Sequence, residues 1–168
     1  MNVRTRLGEV DLTSGTIALV SCVKKKRSHP SPAKELYDSP LFCLSREYVE
    51  RHAERWYILS AEYGLLDPDE VISPYERTLR TMSSVERRQW AERVISRLDE
   101  VISVGARVLV LAGIPYRELL ESFLADRKCD VVVPMKGLGI GRQLRWLKEA
   151  NASKPLRSPV VRVGGEGG

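Results

Sequence analysis

Four short apolar runs rich in β-branched residues are the feature that most constrains how this chain can fold. They read TIALVSC from Thr16, RWYILSA from Arg55, RVLVLAG from Arg107 and CDVVVPM from Cys129. Runs of this length and composition are typical of strands that are buried on both faces of a parallel sheet. We therefore expect four strands in one sheet.

Helix-forming segments lie between and after these runs. Their start signals are an N-cap serine followed by proline, a capping box, a first-turn proline and a glycine-rich turn: Ser39 with Pro40, Ser83 with Glu86, Pro115, and Gly139. The helix that follows the capping box is the longest, and we expect it to end near Ser103. The order β-α-β-α-β-α-β-α predicts a three-layer α/β/α fold with a mostly parallel sheet of four or five strands.

The length of 168 residues is that of a single domain. We expect residues 1–15 to be an N-terminal extension, residues 16–151 the α/β domain and residues 152–168 a C-terminal tail. In the tail, the run PVVRV at residues 159–163 fits an edge strand, and the glycines after it fit a flexible end. Because no apolar stretch approaches the ~18 residues that cross a bilayer, and the N-terminus lacks a signal-peptide core, we expect a cytoplasmic protein without membrane contact.

The charge of the chain favours a polyanionic partner. The formal net charge is +5 and the pI is near 9.2, and cations cluster at residues 24–27 and 142–148. A basic binding face and an ordinary solvated face are both compatible with this pattern. The three cysteines form no CxxC pair and there are two histidines, so we predict neither a metal nor a cofactor. The sequence does not indicate an oligomeric state.

Ligands of open α/β sheets bind beyond the carboxyl ends of the strands, and this chain concentrates polar residues there. After the first run come Ser21, Lys25 and Lys26, whose hydroxyl and ammonium groups suit a sugar and a phosphate. Cys22 is either a small core residue or a catalytic thiolate, for which His29 is the local base.

The second run is followed by a long irregular segment, residues 60–79, which includes Ser60, Glu62, Tyr63 and Tyr75. Ordered loops of this length in a compact domain are usually functional. Tyr63 and Tyr75 either stack on a nucleobase or pack as lids over the core.

Glycines mark the ends of the third and fourth runs. Gly113 permits close backbone approach beside a helix start that carries Tyr116, and such a start offers free N–H groups to an anion. The fourth turn combines Gly137, Gly139 and Gly141 with two cations, and these residues suit a phosphate that is assisted by Lys136 and Arg142. A flexible loop that binds no phosphate is the alternative explanation for the same glycines.

The segments LVSCVKKK…PAKELYDSPLF, WYILSAEYGLLDPDEVISPYERTL and GLGIGRQLRWL resemble an uncharacterised family of small bacterial and phage domains. The middle segment also resembles the YaaA peroxide-stress proteins and, more distantly, the uracil-DNA-glycosylase-like domain of archaeosine synthase. The resemblance implies nucleic-acid binding and modification or repair of a base. The residues that match are Ser21, Cys22, Lys25, Lys34, Tyr37, Ser60, Tyr63, Gly64, Pro74 and Tyr75.

Together these features predict a nucleic-acid-associated enzyme that acts on a nucleobase or nucleotide, with the glycosidic bond as one candidate point of attack. The candidate catalytic groups are Ser60, Tyr63, Cys22 and Glu62. A non-catalytic DNA- or RNA-binding protein of the YaaA-like stress-response type is the alternative, because a basic rim alone suffices for binding.

Overall fold

The computed structural model describes residues 15–153. Within this range the strands are β1 (Thr16–Ser21), β2 (Ser31–Pro32), β3 (Arg55–Ser60), β4 (Gly64–Leu66), β5 (Val71–Ile72), β6 (Arg107–Leu111) and β7 (Asp130–Val132). The helices in the same range are α1 (Ala33–Leu36), α2 (Pro40–His52), α3 (Ser84–Val101), α4 (Ile114–Asp126) and α5 (Ile140–Ala152).

Five of the strands form one mostly parallel sheet in the order β4-β3-β1-β6-β7. The four strands predicted from the apolar runs are parallel, and β1 lies between β3 and β6. The fifth strand, β4, is antiparallel to β3. The predicted α/β class and the mostly parallel sheet are therefore confirmed.

Alternate side chains of β1 enter two separate hydrophobic clusters. Leu19 packs in a cluster with Trp90 of α3 and Leu120 of α4. Ala18 and Val20 pack in a second cluster with residues of α2 and α5. Since successive side chains of a strand point to opposite faces, the central strand is buried from both sides, as its apolar sequence predicts.

The helix starts follow the capping chemistry of the sequence. The Ser39 side chain accepts a hydrogen bond from the backbone N–H of Phe42 at the start of α2. At α3, Ser83 and Glu86 cap each other reciprocally. This helix ends at Val101, two residues before the expected end.

The segment at residues 60–79 differs from the irregular loop that was expected. It contains β4 and β5 and leads into a 3-10 turn at Leu79–Thr81. The chain reverses directly after β3, and Gly64 pairs with Ser60. Gly64 has a φ of +74°, a conformation that costs little only for glycine. β5 pairs with β2 in a separate two-stranded sheet.

The fourth apolar run also differs from the expectation of a strand buried on both faces. β7 has three residues and lies at the edge of the sheet, paired only with β6 among the described strands. Val131 in its centre is 42% exposed, because an edge position leaves part of a strand uncovered.

The predicted N-terminal extension, apart from Gly15, and the possible edge strand at residues 159–163 lie outside the described residues. Among the helices of residues 15–153, none combines the length and the apolar character that a bilayer crossing requires.

Candidate functional site

The sheet changes the direction of its connections between β1 and β6. β1 leads through α2 to β3 on one side, whereas β6 leads through α4 to β7 on the other. Because the connections that follow β1 and β6 leave these neighbouring strands in opposite directions, a crevice opens beyond the carboxyl ends of the two strands. This is the position at which doubly wound sheets bind ligands.

A cleft of about 980 Å³ occupies this position. Its walls come from the segments that follow β1, β6 and β7, and from residues 76–81. The volume lies at the upper end of the range of small-molecule sites, about 300–1,000 Å³. The cleft is therefore large enough for a nucleotide-sized ligand.

The charge of the cleft is strongly positive. Among the described residues that line it, Glu76 carries the only carboxylate. Six lining residues carry positive charge: Lys24, Lys26, Arg77, Arg80, Arg117 and Lys136. Cations that face the same concave space attract an anionic ligand more strongly than scattered surface cations do.

Two helices begin at the cleft with glycine N-caps. Gly113 caps α4 and Gly139 caps α5, and neither helix start has a side-chain capping bond. A Cβ atom on Gly137 or Gly139 would meet no atom within 4 Å. Helix N-termini carry partial positive charge and free N–H groups, which adds to the attraction for an anion.

A thiol and a phenol meet in the wall of the cleft. Cys22 Sγ lies 3.1 Å from the hydroxyl oxygen of Tyr116, which lies in the first turn of α4. The Cys22 backbone N–H continues the β1–β3 ladder by donating to the carbonyl of Leu59. The Tyr116 ring packs edge-on against Trp90, at 5.6 Å between centroids. Both groups are thus fixed by the sheet and the core.

Burial, with a further contribution from the neighbouring Cys22, raises the pKa of Tyr116 well above its ordinary value. The phenol therefore remains protonated at neutral pH and can donate a hydrogen bond to a ligand.

A chain of buried hydroxyls lies behind the cleft. Ser60 Oγ donates to the Tyr75 hydroxyl at 2.8 Å, and the Tyr75 and Tyr37 hydroxyls are 2.7 Å apart. Burial, with a contribution from Cys22, raises the pKa of both tyrosines. Lys26 Nζ lies 4.4 Å from the centroid of the Tyr75 ring. A cation of the cleft wall therefore makes a cation–π contact with one tyrosine of this hydroxyl chain. Burial also lowers the pKa of Lys26.

The structure brings eight of the proposed site residues together in the cleft wall: Ser21, Cys22, Lys26, Gly113, Tyr116, Lys136, Gly137 and Gly139. Twelve others do not line it: Lys25, His29, Lys34, Tyr37, Ser60, Glu62, Tyr63, Gly64, Pro74, Tyr75, Gly141 and Arg142. The segment that follows β3 thus contributes to the wall only beyond Tyr75.

Several of these residues have structural partners instead. Ser60 is fully buried, accepts from the Tyr63 backbone N–H, and its carbonyl accepts from Trp90. Glu62 approaches Arg77 at 4.0 Å, and Lys34 forms an ion pair with an aspartate.

The expected partnership of Cys22 with His29 is not formed. His29 is exposed on the segment that leads into β2, and the Cys22 thiol contacts Tyr116 instead. Nor do Tyr63 and Tyr75 form a parallel slot for a base. Their rings are 5.5 Å apart at 80°, in direct edge-to-face contact. Gly141 lies inside the first turn of α5 rather than in the preceding loop.

Three arginines of the cleft wall, Arg77, Arg80 and Arg117, were not among the site residues predicted from the sequence. Arg80 lies in the 3-10 turn and Arg117 follows Tyr116 in α4. Arg117 had a local signal, since it lies in the first turns of a helix that begins at a strand exit. Arg80 had none, because its position depends on how residues 60–79 return to the sheet.

Within residues 15–153 no group of three or more His, Cys, Asp or Glu side chains is arranged to hold a metal ion.

The sequence has identifiable relatives. It is 29% identical over 152 residues to the uncharacterised protein YfjM of Bacillus subtilis (strain 168), covering 82% of this chain and 96% of that protein. No solved structure matches the chain significantly. Residues 17–149, which include the whole cleft wall, match a family of unknown function, DUF6884, and this chain belongs to that family.

Proposed function

We propose that the cleft binds a phosphate-bearing nucleotide, either free or within a nucleic acid, and that the protein is an enzyme acting on its base or glycosidic bond. The observation that carries this proposal is the charge of the cleft, where six cations face one carboxylate at the switch point of the sheet. Phosphate groups are the biological anions that such a concentration of arginine, lysine and helix N-termini suits best.

The concave shape of the cleft favours an enzyme over a protein that only binds a polyanion. A protein that only binds the nucleic-acid backbone needs a basic surface, whereas this cation set surrounds a space of about 980 Å³. A base that enters this space comes close to the Cys22 thiol and the Tyr116 hydroxyl, which already contact each other. In this proposal Cys22 Sγ loses its proton to solvent and bonds to the sugar carbon of the glycosidic bond as the bond to the base breaks. The Tyr116 hydroxyl donates a hydrogen bond to the departing base, and water then displaces the sulfur from the sugar.

The catalytic assignment moves away from Ser60, Glu62 and Tyr63 in this proposal. Their contacts are within the core or with other surface residues, and they do not line the cleft. The proposed relation to YaaA and to archaeosine synthase rests on the resembling sequence segments. It is consistent with a nucleic-acid substrate.

We also propose a three-layer arrangement and a cytoplasmic location. The two hydrophobic clusters, one with α3 and α4 and the other with α2 and α5, support a three-layer α/β/α arrangement. The three free cysteines suit the reducing cytoplasm, where nucleotides are abundant.

The first test measures binding and turnover separately. Purified protein is titrated with labelled single-stranded DNA and RNA and with nucleoside monophosphates. We expect binding that weakens with salt, by about 20-fold between about 50 and 200 mM for three phosphate contacts on a single strand. Turnover is followed by mass spectrometry of the released or altered bases.

Variants then distinguish the enzyme from the binder. Cys22→Ser and Tyr116→Phe are expected to remove turnover and to leave binding within a few-fold of the wild type. Cys43→Ser is the matched control, because Cys43 is exposed on α2 and lies outside the cleft wall. Salt-dependent binding without turnover of any nucleotide favours the non-catalytic alternative. An absence of binding to all of these ligands refutes the proposal.

A further inference from the structure

We infer that Arg80 and Arg117 form the phosphate-binding pair of the cleft, and that the preferred ligand ends in a phosphomonoester rather than an internal phosphodiester. This inference rests on the proposed function and assigns the phosphate to the α4 side of the cleft. The glycine-rich turn before α5, which the sequence favours for that role, is left free for the rest of the ligand.

The other cleft arginine already has partners. Arg77 lies between Glu62, at 4.0 Å, and Glu86, at 3.2 Å, so its charge is largely balanced within the protein. Arg80 and Arg117 form no ion pair with any carboxylate of residues 15–153. Their charges remain available to a ligand.

Arg117 has an unused donor. Its Nε atom is buried and has no hydrogen-bond partner among residues 15–153, while the residue lines the cleft. A buried donor without a partner destabilises the fold. The terminal nitrogens of the same guanidinium are not buried and also form no side-chain hydrogen bond among residues 15–153, so this group is available to an anion in the cleft.

Arg80 lies close to the same place. The 3-10 turn that carries it packs against α4, and its charge acts on the Tyr116 phenol, where it opposes the upward shift of the pKa. Arg117 thus lies on α4 itself, and Arg80 lies on the 3-10 turn that packs beside it. A guanidinium donates two parallel hydrogen bonds to phosphate oxygens, and a pair on two sides binds a tetrahedral group specifically.

The charge of the pair favours a terminal phosphate. Two guanidinium groups carry two positive charges, and a phosphomonoester carries about −1.5 to −2 at neutral pH. An internal phosphodiester carries one negative charge and has two ester oxygens that bind arginine poorly. The helix N-terminus at Gly113 adds further to the preference for the dianion.

The test compares three forms of each nucleoside: the unmodified nucleoside, its 5′-monophosphate and the methyl ester of that monophosphate, which mimics an internal phosphodiester. Their affinities for the full chain are measured by calorimetry. We expect the monophosphate to bind about tenfold or more tightly than its methyl ester, which corresponds to about 1.4 kcal/mol.

Arg80→Gln and Arg117→Gln are each expected to weaken monophosphate binding about tenfold or more and to reduce the preference over the methyl ester. Arg88→Gln is the matched control, because Arg88 is an exposed α3 arginine outside the cleft wall, and it is expected to bind within twofold of the wild type. Arg80 is also exposed, so its replacement leaves the core intact even if Arg117→Gln folds poorly.

The outcomes separate the inference from the proposed function. If nucleotides bind but both glutamine variants retain the wild-type affinity and preference, the phosphate lies elsewhere and the inference is wrong, while the proposed function stands. If the wild type binds no nucleotide and no nucleic acid, both are wrong.

Discussion

Replacement of Tyr75 by phenylalanine tests the buried hydroxyl chain behind the cleft. The change keeps the ring, its contact with Tyr63 and the aromatic face beneath Lys26. It removes the single oxygen that joins Ser60 to Tyr37. The effect on stability therefore reports on the hydrogen bonds of that oxygen rather than on packing.

The expected cost follows from the groups that are left behind. Tyr37 is 1% exposed and loses the partner at 2.7 Å, and Ser60 is fully buried and loses its acceptor at 2.8 Å. Each buried unsatisfied group costs about 1–3 kcal/mol. Ser60 still accepts from the Tyr63 N–H, so the lower half of the combined range applies. We expect the free energy of unfolding to fall by about 2–4 kcal/mol.

The assay is urea unfolding followed by tryptophan fluorescence, as a double-mutant cycle with Tyr37→Phe. Tyr37→Phe alone is expected to cost about 1 kcal/mol. The double variant is expected to cost less than the sum of the single variants, because it no longer leaves the Tyr37 hydroxyl buried without a partner.

Tyr57→Phe is the control, since residues 15–153 provide no hydrogen-bond partner for the Tyr57 hydroxyl. It is expected to change stability by at most about 0.5 kcal/mol. If Tyr75→Phe costs no more than this control, or if the two tyrosine changes are simply additive, the hydroxyl chain does not stabilise the fold and the reasoning fails.

Two further predictions concern pH and backbone conformation. Burial raises the pKa of Tyr37, Tyr75 and Tyr116, so their stabilising effect is complete below the unfolded-state value of about 10. It is lost as the pH rises above that value, where only the unfolded chain releases protons. The free energy of unfolding should fall there by up to about 1.4 kcal/mol per pH unit for each tyrosine, and Tyr75→Phe should make the slope shallower; a flat profile would contradict this. Gly64→Ala, at a φ of +74°, should lower the free energy of unfolding by about 1–2 kcal/mol. Gly141→Ala, in open helical space, should leave stability unchanged or raise it by up to about 1 kcal/mol, and equal effects in urea unfolding would refute the argument from φ.

Local sequence signals determined much of the fold. The capping pairs at Ser39 and Ser83 locate two helix starts because an N-cap satisfies backbone N–H groups within a few residues of itself. The apolar runs locate the parallel strands for a similar reason, since burial on two faces requires a continuous apolar sequence. The short strands β4 and β5 were not foreseen, because two or three residues carry too little pattern and their pairing depends on distant partners.

The sequence predicted only those parts of the candidate site that follow directly from the ends of the parallel strands. Cys22, Gly113 and Gly139 share the cleft because parallel strands have their carboxyl ends at the same edge of the sheet. The same rule placed Ser60 and Tyr63 in the site, since they also follow a parallel strand. It failed there because Gly64 reverses the chain into β4, so that the exit of β3 is covered by its own hairpin.

That reversal explains why the sequence did not predict Arg77 and Arg80 as cleft residues. Between β4 and the start of α3 at Ser84 the chain forms β5 and the 3-10 turn. This path brings residues 76–81 into one cleft wall with the exits of β1 and β6, and the 3-10 turn that carries Arg80 packs against α4. A βα turn with a lone glycine cap is a weak anion site by itself. In the proposed function the returning segment supplies the second cation for a phosphate, and the same turn at Gly64 covers the β3 exit and sends this segment towards the cleft.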